Sequence, residues 1–253
     1  MHHLCLFVVA RSRHRRDVDS SFGEFVGSNR VMAKLATATL EAYERWAPIY
    51  PPVAHNPLMR VEQQAMIEQW PDVTGRRALD LACGTGRYTR LLTEARAADV
   101  VALDFCAPML QQVSAASRVC ASMMHLPFVG GAFDVVISGL ALGHATAVQE
   151  WMAEIARVLS RGGTLLYSDF HPEAARAGLA RSFKDADDRT CTVPHRWYDV
   201  AAQREAAAAA HLTIETVREI RVGVELREAF PKSDEFYRRW HGLPIVLVVR
   251  ARK

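Results

Sequence analysis

Between residues 77 and 168 short apolar runs alternate with amphipathic stretches, and this alternation limits the fold more than any other feature. Arg77 to Ala82, Val100 to Leu103 and Phe133 to Ser138 read as buried strands. Val119 to Ser122 is a weaker strand, and Thr164 to Ser168 the next. Helical periodicity fills the gaps over 87–97, 108–116 and 148–160, the last ending in Arg161-Gly162-Gly163, a glycine stop. Strands that are apolar throughout are covered on both faces, and strands separated by helices pair in parallel. The pattern predicts an α/β, doubly wound, mostly parallel sheet.

The flanks differ. Residues 34–50 and 56–70 read as helices before the alternation begins, the first carrying Tyr43, Trp46 and Tyr50 and stopped by Pro51-Pro52. After it comes an Ala-rich helix over 197–211, a long strand over 212–222, a short helix over 233–240 and a final strand over 244–250. Two strands joined by such an insertion predict a C-terminal antiparallel pair. The domain expectation is therefore a poorly ordered extension over 1–31, a helical lid or cap segment over 32–74, and the α/β domain over 75–253.

With 253 residues, 50% of them hydrophobic and 23% charged, the chain has the composition of a globular protein, which excludes disorder, collagen and coiled coil for the whole. No apolar run approaches the ~20 residues that span a bilayer. The net charge of +3 owes much to Arg11, Arg13, Arg15 and Arg16. Without them the rest of the chain is slightly acidic, so the expectation is no nucleic-acid partner and no membrane partner. The 5 cysteines form no CxxC pair, which argues against a zinc site or disulfide framework and for a reducing, cytoplasmic setting. The opening MHHLCLFVVARSRHRR has a short apolar core with its charges on the wrong side for a signal peptide, and Met32 offers an alternative start.

The segment Arg77-Ala78-Leu79-Asp80-Leu81-Ala82-Cys83-Gly84-Thr85-Gly86-Arg87-Tyr88 carries the chemistry. A buried strand enters a glycine turn and then a helix, whose free N-terminal amides suit an anion. Asp104 follows the second strand, where an acid can hold two ribose hydroxyls. A dinucleotide fold would show GxGxxG, but the third position here is Thr89.

The DxxxGxG pattern of Asp80, Gly84 and Gly86 resembles motif I of the class I S-adenosylmethionine-dependent methyltransferases. LDFCAPML at 103–110, MHLPFVGGAFDVVIS at 124–138 and EIARVLSRGGTLLYSDF at 154–170 resemble further segments of that family, especially its small-molecule branch of quinone and malonyl-carrier-protein methyltransferases. The resemblance implies a Rossmann-like seven-stranded sheet, an N-terminal helical lid and S-adenosylmethionine as cofactor, with S-adenosylhomocysteine as product. It implies that Asp80 orients the turn, that Gly84 and Gly86 lie against the methionine part, and that Asp104 takes the ribose. Phe105, Ser122 and Met123 would border the adenine, with Met109 at its edge. Many relatives carry Asp where this chain has Ser122. Ser138 and Gly139 would line the passage to the substrate, and Tyr43 would lie on the lid. Cys83, in the cofactor turn, reads as a small apolar filler and not a nucleophile.

The same resemblance directs attention to the strand ends and lid for the methyl acceptor. His171 and His144 follow strands and are candidate general bases. Tyr50, with Tyr43, would close over the site and exclude water. Arg60, Arg176 and Arg239 are candidates to grip a carboxylate. The expected partner is a small-molecule or carrier-bound substrate, the expected metal none, and the protein a monomer or homodimer.

Overall fold

The computed structural model describes residues 35–114, 117–224, 237–238 and 240–253. The N-terminal extension over 1–31 and most of the expected helix over 233–240 lie outside the described residues, as does Arg239.

Residues 35–46 form helix α1, followed by a 3-10 turn, Ala47–Ile49, that Pro51 and Pro52 end. Helix α2 (Pro57–Glu68) begins at Asn56, whose side chain accepts the Met59 N–H at 2.9 Å, with Pro57 at the first helical position. Then come β1 (Arg77–Leu81), α3 (Arg87–Glu94), β2 (Asp99–Asp104), α4 (Ala107–Leu110), β3 (Ser117–Cys120), β4 (Phe133–Gly139), α5 (Val148–Val158) and β5 (Leu159–Phe170). The remainder is α6 (Pro172–Arg176), a hairpin of β6 (Ser182–Lys184) and β7 (Thr190–Thr192), α7 (Val200–Ala209), β8 (Thr213–Arg221) and β9 (Pro244–Arg252).

The main sheet has seven strands in the order β3-β2-β1-β4-β5-β9-β8. The first five are parallel, β9 runs antiparallel to β5, and β8 antiparallel to β9. This is the expected Rossmann-like sheet with its C-terminal antiparallel pair. Both faces are covered, which is why the strands are apolar without alternation. One face buries Leu79, Leu103, Val136 and Tyr167 under Trp151, Met152 and Ile155 of α5. The other buries Ala78, Ile137, Leu166 and Val246 against Met59 and Met66 of α2. Helix α2 therefore belongs to the core of the α/β unit, and of the segment 32–74 it is α1 that faces the site.

Two boundaries depart from the sequence reading. Helix α5 stops at Val158, and β5 starts at once with Leu159 paired to Phe133, so Gly162 (φ +75°) bends the start of a strand and does not cap the helix. Helix α4 is one turn long, because Gln111 to Val113 fold into a turn. The short, mostly exposed hairpin β6–β7 and the single-turn α6 have no counterpart in the apolar pattern.

Candidate active site

Strand order reverses between β1 and β4, and open α/β sheets bind ligands outside the carboxyl ends of the strands at such a point. The turn after β1 is tightly built. Ala82 (φ 57°), Gly84 (φ 56°) and Gly86 (φ 88°) all adopt the left-handed region, which strains the non-glycine Ala82. Leu140, after β4, is strained in the same way at φ 56°. A Cβ on Gly86 would lie 2.9 Å from Val113 Cγ1, whereas beside Gly84 there is open space.

Two buried carboxylates hold this turn. Asp104 Oδ2 accepts the Gly84 N–H at 2.7 Å and its Oδ1 the Cys106 N–H at 2.8 Å. Asp80 Oδ2 accepts both the N–H and the hydroxyl of Thr89 at 2.6 Å. Burial pushes the Asp80 carboxyl up to about 6, against the Thr89 hydrogen bonds and the nearby Arg87 charge. Burial also raises Asp104, opposed by its backbone N–H donors.

A cavity of about 260 Å³ opens over the turn. Its cofactor-side wall includes Asp80, Cys83, Gly84, Asp104, Phe105 and Met109. Ser122, Met123 and Gly139 continue it, and Tyr43, Tyr50 and His144 also line it, with the Tyr43 ring edge-on to Phe105 at 6.5 Å. Three expected residues are not in the wall. Gly86 packs behind the turn against Val113. Ser138 is buried and donates to the Leu81 carbonyl at 3.0 Å, joining β4 to β1. His171 caps α6, its Nδ1 accepting the Glu173 N–H at 3.1 Å, with Glu219 of β8 at 3.5 Å from Nε2. The Cys83 thiol is held protonated by burial, as expected of a filler.

A methyltransferase-domain family model matches residues 79–167, the stretch that forms this cavity floor. A malonyl-[acyl-carrier protein] O-methyltransferase of Halorhodospira halophila is 34% identical over 152 residues, 57% of this chain and 49% of the relative. An uncharacterized methyltransferase of Mycobacterium bovis is 34% identical over 155 residues, 60% of this chain and 52% of the relative. The crystal structure of an S-adenosylmethionine-dependent methyltransferase from Mesorhizobium loti, 26% identical, superposes with a TM-score of 0.61 over 76% of this chain and 97% of that one.

The chain carries, over residues 79–167, a methyltransferase domain, and it is similar in sequence and fold to S-adenosylmethionine-dependent methyltransferases. It spans about half the length of the curated relatives it matches. The residues present fit the family's cofactor: a buried carboxylate with spare lone pairs at the end of β2, beside a glycine turn whose wall is open.

In the cavity wall the Tyr43 hydroxyl lies 2.9 Å from His144 Nε2. Burial, then the nearby Arg181 charge, then His195 hold His144 well below the usual histidine range, so it is neutral at neutral pH. Burial likewise raises the Tyr43 and Tyr50 phenols. Arg181 donates to the Leu140 carbonyl at 2.6 Å and lies over the rings of Tyr43 and Phe170. Trp46 of α1 stacks on Phe183 of β6 at 4.3 Å, fixing α1 to the hairpin.

Two groups at the site have no sequence motif. One is a buried network: Glu62 of α2 accepts from Arg87 at 2.7 Å, from Tyr88 at 2.7 Å and from Ser168 of β5 at 2.5 Å. The other is His195, which forms part of the cavity wall together with Arg181 and Arg196. The only signal for the first was a lone acid on the apolar side of α2; nothing in the pattern marked the second.

Proposed function

We infer that the chain binds S-adenosylmethionine and transfers its methyl group to an oxygen or nitrogen of a small metabolite or carrier-bound acyl group, by direct in-line displacement. The observation that carries this reading is one continuous cavity, lined both by the Asp104–Gly84 clamp and by Tyr43, Tyr50 and His144. Bound there, the cofactor supplies an electrophilic methyl on a positively charged sulfur. Asp104 takes the ribose hydroxyls, while Asp80 fixes the turn through Thr89. Cys83 and Gly84 lie against the methionine part, and Phe105, Met109, Ser122 and Met123 enclose the adenine. Gly139 keeps the passage narrow: a Cβ there would lie 2.3 Å from the Tyr88 ring. Tyr43 and Tyr50 exclude water, and His144 orients Tyr43. His171, capped into α6 outside the cavity wall, supports the loop after β5.

The carrier-bound option draws on the malonyl-carrier relatives, one of which is similar over 57% of this chain and 49% of its own length. A single metabolite-bound protomer or a homodimer is equally served by this cavity, without nucleic acid or membrane. Calorimetry with S-adenosylhomocysteine tests the first half, with a Kd expected in the micromolar range, roughly 1 μM–1 mM. Label transfer from methyl-labelled cofactor to a panel of hydroxyl, amine and malonyl-carrier acceptors tests the second. Absence of cofactor binding would sink the reading; binding without transfer to any acceptor would leave a cofactor-binding protein that does not turn over.

A further inference from the structure

A second imidazole stands in the acceptor wall, in a segment with no regular secondary structure. The chain at 193–196 is pinned alongside β4 and its exit loop: Val193 N–H donates to the Arg181 carbonyl at 2.9 Å, and Arg196 N–H to the Gly143 carbonyl at 2.7 Å. The His195 ring lies against Gly143, where a Cβ would come within 2.1 Å of its Cε1 and Nε2. Only a glycine at 143 leaves room for it. The His195 side chain is 2% exposed, and its Nε2 is 3.2 Å from Oδ1 of Asp169, itself 3% exposed. Among the described residues neither His195 nitrogen nor Asp169 Oδ1 has a hydrogen bond. The ring meets His144, Trp197 and Phe170 edge-on at 5.1, 4.8 and 5.3 Å.

A buried imidazole with unpartnered nitrogens in a ligand cavity is costly unless a ligand completes it. The carboxylate behind Nε2 favours the tautomer with its proton there and leaves Nδ1 as the acceptor. It also balances the positive charge that a captured proton creates. His144 has no such balance: Arg181 and His195 both oppose its protonation. The ionisable groups facing the pair are Asp169, His144 and, beyond them, Arg181, Tyr43, Tyr167 and Tyr198.

We propose that His195 is the general base of the acceptor site, with Asp169 as its positioning residue, and that the acceptor is a phenolic hydroxyl. The proposal rests on the methyltransferase reading and deepens it. The phenol oxygen gains the new O–CH3 bond, the S–CH3 bond breaks with its electron pair left on sulfur, and the hydroxyl proton goes to His195 Nδ1. The walls of Tyr43, Tyr50 and His144 suit a flat ring. A carboxylate acceptor, ionised at neutral pH, has no use for a base and would be brought toward the Asp169 charge.

The probes are phenol and 4-nitrophenol with S-adenosylmethionine, malonyl-loaded carrier protein as the competing acceptor, and calorimetry with S-adenosylhomocysteine for every variant. His195→Gln is expected to lower turnover of phenol by about 10²–10⁴-fold, and of the readily ionised 4-nitrophenol far less, with S-adenosylhomocysteine affinity within twofold. Gly143→Ala, which displaces the ring without altering its chemistry, should reproduce that split. Asp169→Asn should lower the phenol rate far more than the 4-nitrophenol rate, as His195→Gln does, with S-adenosylhomocysteine affinity within twofold. Independently of turnover, 4-nitrophenol bound to the wild-type S-adenosylhomocysteine complex should show its phenolate absorbance at a pH where the free probe is mostly protonated, and the band should vanish in His195→Gln. Equal losses on both phenols, full phenol turnover in His195→Gln, or methylation of the malonyl carrier alone each overturn the proposal. Cofactor binding with no phenol turnover overturns it while the cofactor reading stands, whereas absence of cofactor binding removes the methyltransferase reading itself.

Discussion

Glu62 has no exposed surface, and replacing it with Gln perturbs the structure in a way whose size follows from its contacts. The substitution keeps the shape and one carbonyl oxygen but removes the charge. In the native protein that charge faces the Arg87 guanidinium at 2.7 Å, with side-chain exposures of 0% and 8%. Burial works against the Arg87 charge, but Glu62 together with Tyr88 and Tyr50 outweighs it, so the guanidinium stays protonated. In Glu62→Gln the guanidinium remains charged with no counter-ion inside the core. Removing one partner of a buried pair costs about 3–5 kcal/mol. With the amide carbonyl toward Arg87, the N–H2 faces the Tyr88 and Ser168 hydroxyls, both of which now donate to Glu62 Oε1 and would have to rotate to accept instead. At about 2–4 °C per kcal/mol for a chain of this size, the melting temperature should fall by roughly 6–20 °C. The assay is thermal and urea unfolding of wild type, Glu62→Gln, Arg87→Met and the double variant Glu62→Gln/Arg87→Met. The double variant should be more stable than the sum of the single losses, since it removes both charges together. A Glu62→Gln loss below about 1 kcal/mol would refute the argument, because such values belong to solvent-screened surface pairs.

Asp104→Asn should weaken S-adenosylhomocysteine binding by about 1.5–3 kcal/mol, the scale of a hydrogen bond to a charged group, and calorimetry with no change would remove Asp104 from the ribose role. Asp80 is a buried acid raised to about 6 from an unfolded value of 3.8. The stability linked to its protonated form is full below about pH 4 and lost as pH rises through about 6, on the order of 3 kcal/mol. Subtracting the urea-unfolding profile of Asp80→Asn from that of wild type isolates this slope, and a flat difference would show that Asp80 titrates normally. Gly139→Ala should cost about 1–3 kcal/mol by overpacking, because its Cβ would lie 2.3 Å from Tyr88 Cε2 in a ring tied to Glu62, and an unchanged melt would mean the ring is free to move. Trp46→Ala, which removes the stack on Phe183, should raise the KM for the acceptor more than it alters S-adenosylhomocysteine affinity; the reverse order would place α1 over the cofactor instead.

How far the sequence could be read divides along one physical line, the distance over which a residue's role is set. Asp80, Gly84 and Asp104 act within a single β–turn–α–β unit, so their spacing carries their geometry, and the structure joins Asp104 to Gly84 directly. The sheet order follows similarly, since apolar strands separated by helices admit few arrangements. His171 shows the limit of that reasoning. It follows β5 as an active-site residue would, but the chain turns into α6 at once, and the imidazole is consumed in capping that helix. His195 shows the converse. It lies in no helix or strand, and its place depends on Gly143 being small, on Arg196 pairing with the Gly143 carbonyl, and on Asp169 at the end of β5. None of those partners lies within 20 residues of it in sequence except Arg196. Glu62 is the same case: 25 residues from Arg87 and 106 from Ser168, it gathers α2, α3 and β5 onto one carboxylate. A local pattern has no term for such groups, because their desolvation is repaid only by contacts that tertiary folding creates. That places the parts that hold a common ligand in the motif and the parts that choose what is done with it in the long-range contacts. A survey of related chains for covariation at 143, 169 and 195 would test this division: if Gly143 and His195 vary independently of each other, the cavity wall they form is packing and not chemistry.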